Sequence, residues 1–136
     1  MLLRMLLFIA TIVMAGCATP YQPFELFGRG GYQEKRISDD TYQVAYYGNG
    51  STSMETLNSL LLYRSAEITI DRGYDYFDVL SGVARMPLSA LSGFRSTEHT
   101  IKMFKGQPKP QTSRVSRTYV ARKVKEDFGP QIGQKK

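Results

Sequence analysis

A chain of 136 residues with one histidine and one cysteine has few routes to chemistry. The counts exclude an internal disulfide, a multi-histidine metal site and a multi-cysteine zinc site. Nucleophilic catalysis needs a nucleophile held against a base, commonly histidine. His99 is the sole histidine, and it falls in a predicted strand with Glu98 and Thr100 on the opposite face. There is no Gly-x-Ser-x-Gly elbow. Glu67, Asp71, Asp75 and Asp78 are close in sequence, but Asp75 and Asp78 have opposite strand parity and do not converge directly. A pair of carboxylates brought together by the fold would still suit a hydrolase. That alternative rests on Asp75, Asp78 or Glu67, joined by Arg64. A twelve-residue calcium loop is absent, and Gly28-Arg29-Gly30-Gly31 is followed by no Lys-Ser/Thr of a phosphate loop.

The cysteine has a more definite setting. Arg4 precedes an apolar run, Met5 to Ala15, broken only by Thr11, and two small residues, Ala15 and Gly16, come immediately before Cys17. This is the layout of a cleaved secretory signal over residues 1–16. A spanning helix needs about 20 apolar residues, and the run ends at Gly16, before Pro20 and Pro23. Met14-Ala15-Gly16-Cys17 resembles the lipobox of bacterial lipoproteins, with Met14 where Leu is most common. The resemblance implies cleavage between Gly16 and Cys17, a diacylglycerol on the Cys17 thiol and an N-acyl chain on its amine. No other cofactor is expected. Each buried CH₂ contributes about 0.8 kcal/mol, so two or more chains hold a protein durably on a bilayer. Ala18, where enteric-type sorting reads Asp for inner-membrane retention, implies the outer membrane, facing the periplasm. An unlipidated thiol at an ordinary cleavage site and an uncleaved short anchor are the competing readings.

The charge is uneven. The whole chain carries a formal +6, with 18 Lys and Arg against 12 Asp and Glu. Acids outnumber bases up to Ile101, and bases dominate from Lys102 onward. Lys102, Lys105, Lys109, Arg114, Arg117, Arg122, Lys123 and Lys125 are therefore candidates for an anionic surface: lipid headgroups, cell-wall polymer or an acidic protein. A solvated tail without a fixed partner is the plain alternative. Nucleic acid is a poor candidate for an exported chain.

Positioning these residues requires a fold. Residues 17–31 read as a lipidated tether, because Pro20, Pro23, Gly28, Gly30 and Gly31 oppose regular structure; Phe24, Leu26 and Phe27 either pack back on the body or lie at the lipid. An α+β domain follows over residues 32–105. Tyr32–Ile37 and Tyr42–Tyr47 read as a hairpin around Ser38-Asp39-Asp40-Thr41. Thr52 to Glu55 fits a capping box with Thr52 as N-cap. The helix then runs from Ser53 to Arg72 with Leu57, Leu60, Leu61, Ser65 and Ile68 on one face, and Gly73 closes it. The β-branched residues Ile68, Thr69 and Ile70 weaken its last turn. Tyr74–Ala84 reads as a central strand, with a bulge at Gly82, and Thr97–Lys105 as another. Residues 106–136 read as a basic C-terminal segment: an exposed linker over Gly106–Ser116, then a short helix over Tyr119–Phe128 ended by Gly129-Pro130. The order β-β-α-β-β-(α) predicts a small antiparallel sheet with one main helix on one face. Tyr42, Tyr46, Tyr47, Tyr63, Tyr74, Tyr76 and Phe77 supply either its core or a binding surface.

Gly30-Gly31-Tyr32, Tyr42 with Val44, Gly48-Asn49-Gly50, Leu62 to Glu67 (LYRSAE) and Gly73 to Phe77 (GYDYF) follow one another along the chain. With Met103 to Gly106 and Phe128 to Ile132, the pattern resembles a family of small bacterial envelope lipoproteins of unknown function. That resemblance implies an α+β envelope lipoprotein and assigns no catalytic residues. The expected function is a membrane-anchored, non-enzymatic protein that binds another envelope protein, peptidoglycan or anionic lipid. A small envelope hydrolase or accessory enzyme is the alternative.

Overall fold

The computed structural model describes residues 18–25, 30–80, 95–106 and 115–133. Strands β1 (Gly30–Arg36) and β2 (Thr41–Gly48) precede helix α1 (Met54–Asp71). Strands β3 (Tyr76–Leu80), β4 (Arg95–Phe104) and β5 (Val115–Val120) follow, and helix α2 (Ala121–Gly133) comes last. The sheet order is β1-β2-β4-β3-β5, and every neighbouring pair is antiparallel. The architecture is α+β.

Register explains which residues meet the helices. Tyr42 pairs with Ile101, Val44 with His99, Val79 with Ile101 and Phe77 with Met103. These residues share one face of the sheet, and Tyr42, Val44, Tyr46, Phe77, Ile101 and Met103 are buried in a cluster with Leu57, Leu60, Leu61, Ala66 and Ile68 of α1. The apolar face expected of α1 is thus the one that packs. Its ends are capped on both sides. Ser53 is the N-cap and accepts from Thr56 N at 3.1 Å. At the C-terminus Tyr74 N donates to Thr69 O and Gly73 N to Ile70 O, both at 2.9 Å, with Gly73 at φ +76°. This is the left-handed closure that glycine adopts without steric cost.

Four expectations change. The N-cap is Ser53 rather than Thr52, because the Thr52 hydroxyl is taken by a residue of the N-terminal segment. Residues 18–25 are no loose tether: Tyr32 N donates to Gln22 O at 2.9 Å and Phe24 N to Tyr32 O at 2.8 Å, so this stretch pairs with the edge of β1. Pairing requires Gly31, at φ +136°, where a Cβ would lie 2.4 Å from Gln22 O. The C-terminal segment contains a fifth strand, β5, registered on β3, and Tyr119 belongs to it. Helix α2 runs past Gly129-Pro130, with Pro130 inside it. Ala121 and Val124 are buried, and Phe128 and Ile132 pack on the same core, so packing outweighs the backbone bond that proline removes. Leu26 and Phe27, Gly82 and its flanking residues 81–84, and residues 107–114 of the expected linker lie outside the described residues.

Candidate functional site

The first described residues after Cys17 are fixed to the body. Thr19 and Thr52 are each 2% exposed. Thr19 N donates to Thr52 Oγ1 at 3.0 Å, Thr52 Oγ1 donates to Thr19 Oγ1 at 2.9 Å, and Asn49 N donates to Thr19 Oγ1 at 2.9 Å. Tyr46 Oη donates to Pro20 O at 2.8 Å. Phe24 packs on Tyr47 with ring centroids 4.9 Å apart. Polar groups buried this way are worth keeping paired, since each one left unsatisfied costs about 1–3 kcal/mol.

Tyr21 continues the clamp. Its ring lies 5.2 Å from those of Tyr32 and Tyr63 and 6.2 Å from that of Tyr46. Its hydroxyl donates to Glu67. Burial, with Glu67 beside it, pushes the phenol well above its ordinary value, so it stays a donor. Glu67 also accepts from Arg64 Nη1 at 3.0 Å and faces Lys125 Nζ of α2 at 3.7 Å. Arg64 Nε donates to Glu34 of β1 at 2.8 Å, and its guanidinium sits 4.2 Å from the Tyr32 ring centroid. Burial disfavours the Arg64 charge, but Glu34 and Glu67 outweigh it and hold the guanidinium protonated. Two carboxylates and two cations therefore join the N-terminal segment, β1, α1 and α2. Of these contacts, only Arg64–Glu67 is local, between residues three apart on one helix.

His99 is placed between layers. Its Nε2 is 2.7 Å from Ser65 Oγ of α1, and Ser65 Oγ donates to Leu61 O at 2.8 Å. A hydroxyl spending its proton on Leu61 has lone pairs left for Nε2–H, so a neutral imidazole satisfies the pair. Burial lowers the His99 pKa to about 4. Ser65 is fully buried, so the contact ties helix to sheet and offers no path to a bound molecule.

The carboxylates considered for hydrolysis are dispersed. Asp75 accepts from Gly106 N at 3.3 Å, and Asp78 accepts from Thr118 Oγ1 at 2.5 Å on the sheet face away from the helices. Glu67 and Arg64 are engaged with each other, with neither Asp75 nor Asp78 as partner. Among the described residues, no group of three His, Cys, Asp or Glu side chains could hold a metal ion. A cavity of about 160 Å³ between α1 and α2 is lined by Thr19, Tyr21, Thr56, Leu60, Phe128 and Ile132.

The described basic candidates, Lys102, Lys105, Arg117, Arg122, Lys123 and Lys125, are folded into the domain rather than strung along a tail. Lys102 Nζ lies 3.7 Å from Asp40, and Lys123 Nζ 3.3 Å from Asp127. Lys125 lies over the Tyr63 ring as well as near Glu67. Lys105 sits 6.0 Å from the Tyr74 centroid and Arg117 5.7 Å from that of Tyr119. Arg122 lines a groove with Asp75, Tyr76, Gly106 and Val120. Among the described residues, Lys105, Arg117 and Arg122 have no carboxylate partner. Lys109, Arg114, Gly16 and Cys17 lie outside the described residues. No helix among the described residues is long and apolar enough to cross a membrane.

Sequence reading missed the Thr19–Thr52 contact and the Tyr21–Glu67 bond. Both join residues more than thirty positions apart, and neither threonine stands in a periodic pattern. Comparison with known proteins finds no matching family model, no matching curated protein and no matching solved structure.

Proposed function

We propose that the chain is a lipid-anchored envelope lipoprotein without catalytic activity, carried on the periplasmic side of the outer membrane. Its acyl chains are joined to Cys17, and its folded body binds another envelope component: a protein, cell-wall polymer or anionic lipid. The observation that carries this reading is sequence order. Met14-Ala15-Gly16-Cys17 ends two residues before a threonine that is buried and clamped, so cleavage before Cys17 would leave the domain whole. A lipid there would consume the only thiol. The dispersal of Asp75, Asp78 and Glu67 favours binding over hydrolysis.

The deciding experiment is the intact mass of the protein purified from the membrane fraction. The expected mass is that of residues 17–136 plus two or three acyl chains, and Cys17→Ser should lack the lipid and leave the membrane fraction. An unlipidated mass for the native protein would overturn the anchor.

A further inference from the structure

The anchor reading leaves open how the body meets the bilayer, and the clamp decides it. Two residues span at most about 7 Å of extended chain, so Cys17 lies within that reach of Thr19. Thr19 is bonded to Asn49 and Thr52 in the turn between β2 and α1. Several ends converge at this pole. Gly48, the last residue of β2, pairs with Gly30, the first of β1, and with Arg95, the first of β4. Helix α1 starts here, and α2 ends here, because Lys125 lies near Glu67 while Gln131 and Ile132 line the cavity beside Glu55 and Thr56. Gly50, Ser51 and Ser53 are exposed, as is Met54 at 43%.

We infer that the domain stands on the bilayer by this pole, with the β2–α1 turn and Met54 against the lipid headgroups. The inference rests on the proposed lipid at Cys17. It adds a fixed orientation in place of free rotation about a tether. The eighteen residues of α1 extend about 27 Å, which carries the opposite pole well beyond a Debye length of about 8 Å. That far pole holds the β1–β2 turn, Gly73, Lys105 and Arg122.

Because lipidation uses the one cysteine, an introduced cysteine is a unique label site. Full-length lipidated Ser51→Cys and Arg72→Cys proteins, labelled with a bimane fluorophore, would be reconstituted in phosphatidylethanolamine–phosphatidylglycerol vesicles carrying nitroxide headgroup lipid. Quenching should be several-fold stronger at position 51 than at position 72. A six-residue Gly-Ser insertion after Ala18 should collapse that difference while leaving the lipid in place. Equal quenching at the two positions, or a difference that survives the insertion, would overturn the inference. Intact mass of the same samples separates the two readings. Without acyl chains the anchor itself fails; with them, equal quenching tells against the orientation alone.

Discussion

Thr19 and Thr52 hold each other across 33 positions of sequence, each accepting a hydrogen bond from the other at 2.9–3.0 Å. The pair turns what composition presents as a proline-broken lead-in into part of the folded domain. The helix cap falls one residue later, on Ser53, whose hydroxyl accepts from Thr56 N.

Thr52→Val keeps the side-chain shape and removes the hydroxyl. Thr19 N then loses its buried acceptor while Thr19 Oγ1 keeps Asn49 N, and stability should fall by about 1–3 kcal/mol. Thr52→Ser should recover most of that loss. Urea unfolding measures both, and equal midpoints for Val and Ser would mean that packing rather than hydrogen bonding matters there.

Glu67 should be more sensitive than Lys125, the more exposed of the cations that face it. Glu67→Gln weakens its bonds to Tyr21 and Arg64 together, at a cost of about 1–3 kcal/mol. Lys125→Met should change stability by less than about 0.5 kcal/mol, since the Lys125 side chain is 37% exposed and its attraction is screened. A double-mutant cycle of Tyr21→Phe with Glu67→Gln should give a coupling of at least about 0.5 kcal/mol. Strict additivity would show that the hydroxyl contributes nothing through Glu67.

His99 gives the domain a pH dependence with a definite sign. Its pKa is lowered by burial to about 4, against 6.5 for the unfolded chain. Between these values the unfolded state binds more protons than the folded one, so stability rises with pH through the window. It should be level with respect to His99 above about pH 7, fall progressively below 6.5, and lose about 3 kcal/mol by pH 4. Unfolding midpoints from pH 7.5 to 4, with His99→Gln as the flattened reference, check this. A midpoint that rises on acidification, and does so only when His99 is present, would reverse the assignment.

Tyr42 is 2% exposed, and its buried hydroxyl has no hydrogen-bond partner among the described residues. Tyr42→Phe removes a polar group that gains nothing from folding. The variant should be as stable as the parent or about 1 kcal/mol more so. A loss beyond about 0.5 kcal/mol in chemical denaturation would mean that the hydroxyl is satisfied in solution.

Local patterns carried the fold as far as local physics acts. The spacing of Leu57, Leu60, Leu61, Ser65 and Ile68 sets the buried face of α1, and the alternation of Tyr42, Val44 and Tyr46 sets the face of β2. Val115 to Val120 shows why β5 escaped. Its register places Arg117 and Tyr119 on one face, so the apolar alternation that marks a strand is interrupted. Pro130 misled in the opposite direction, because Phe128 and Ile132 secure the helix from outside. For the site, Arg64 with Glu67 is legible from helical spacing. Glu34, Tyr21 and Lys125 come from three other elements, and nothing in their local sequence announces the meeting.

The strand order has a consequence for how the chain acquires its shape. Strand β4 sits between β2 and β3, yet it is translated after both. Until Phe104 is available, β2 and β3 lack the partner that joins them, and the hairpin of β1 and β2 has no sheet to extend. The N-terminal clamp waits too, for Glu67 closes on Tyr21 and Lys125 arrives only with the last helix. Contacts so far apart in sequence make for slow, all-or-none folding. A chain of this design closes its sheet only once nearly all of it is available.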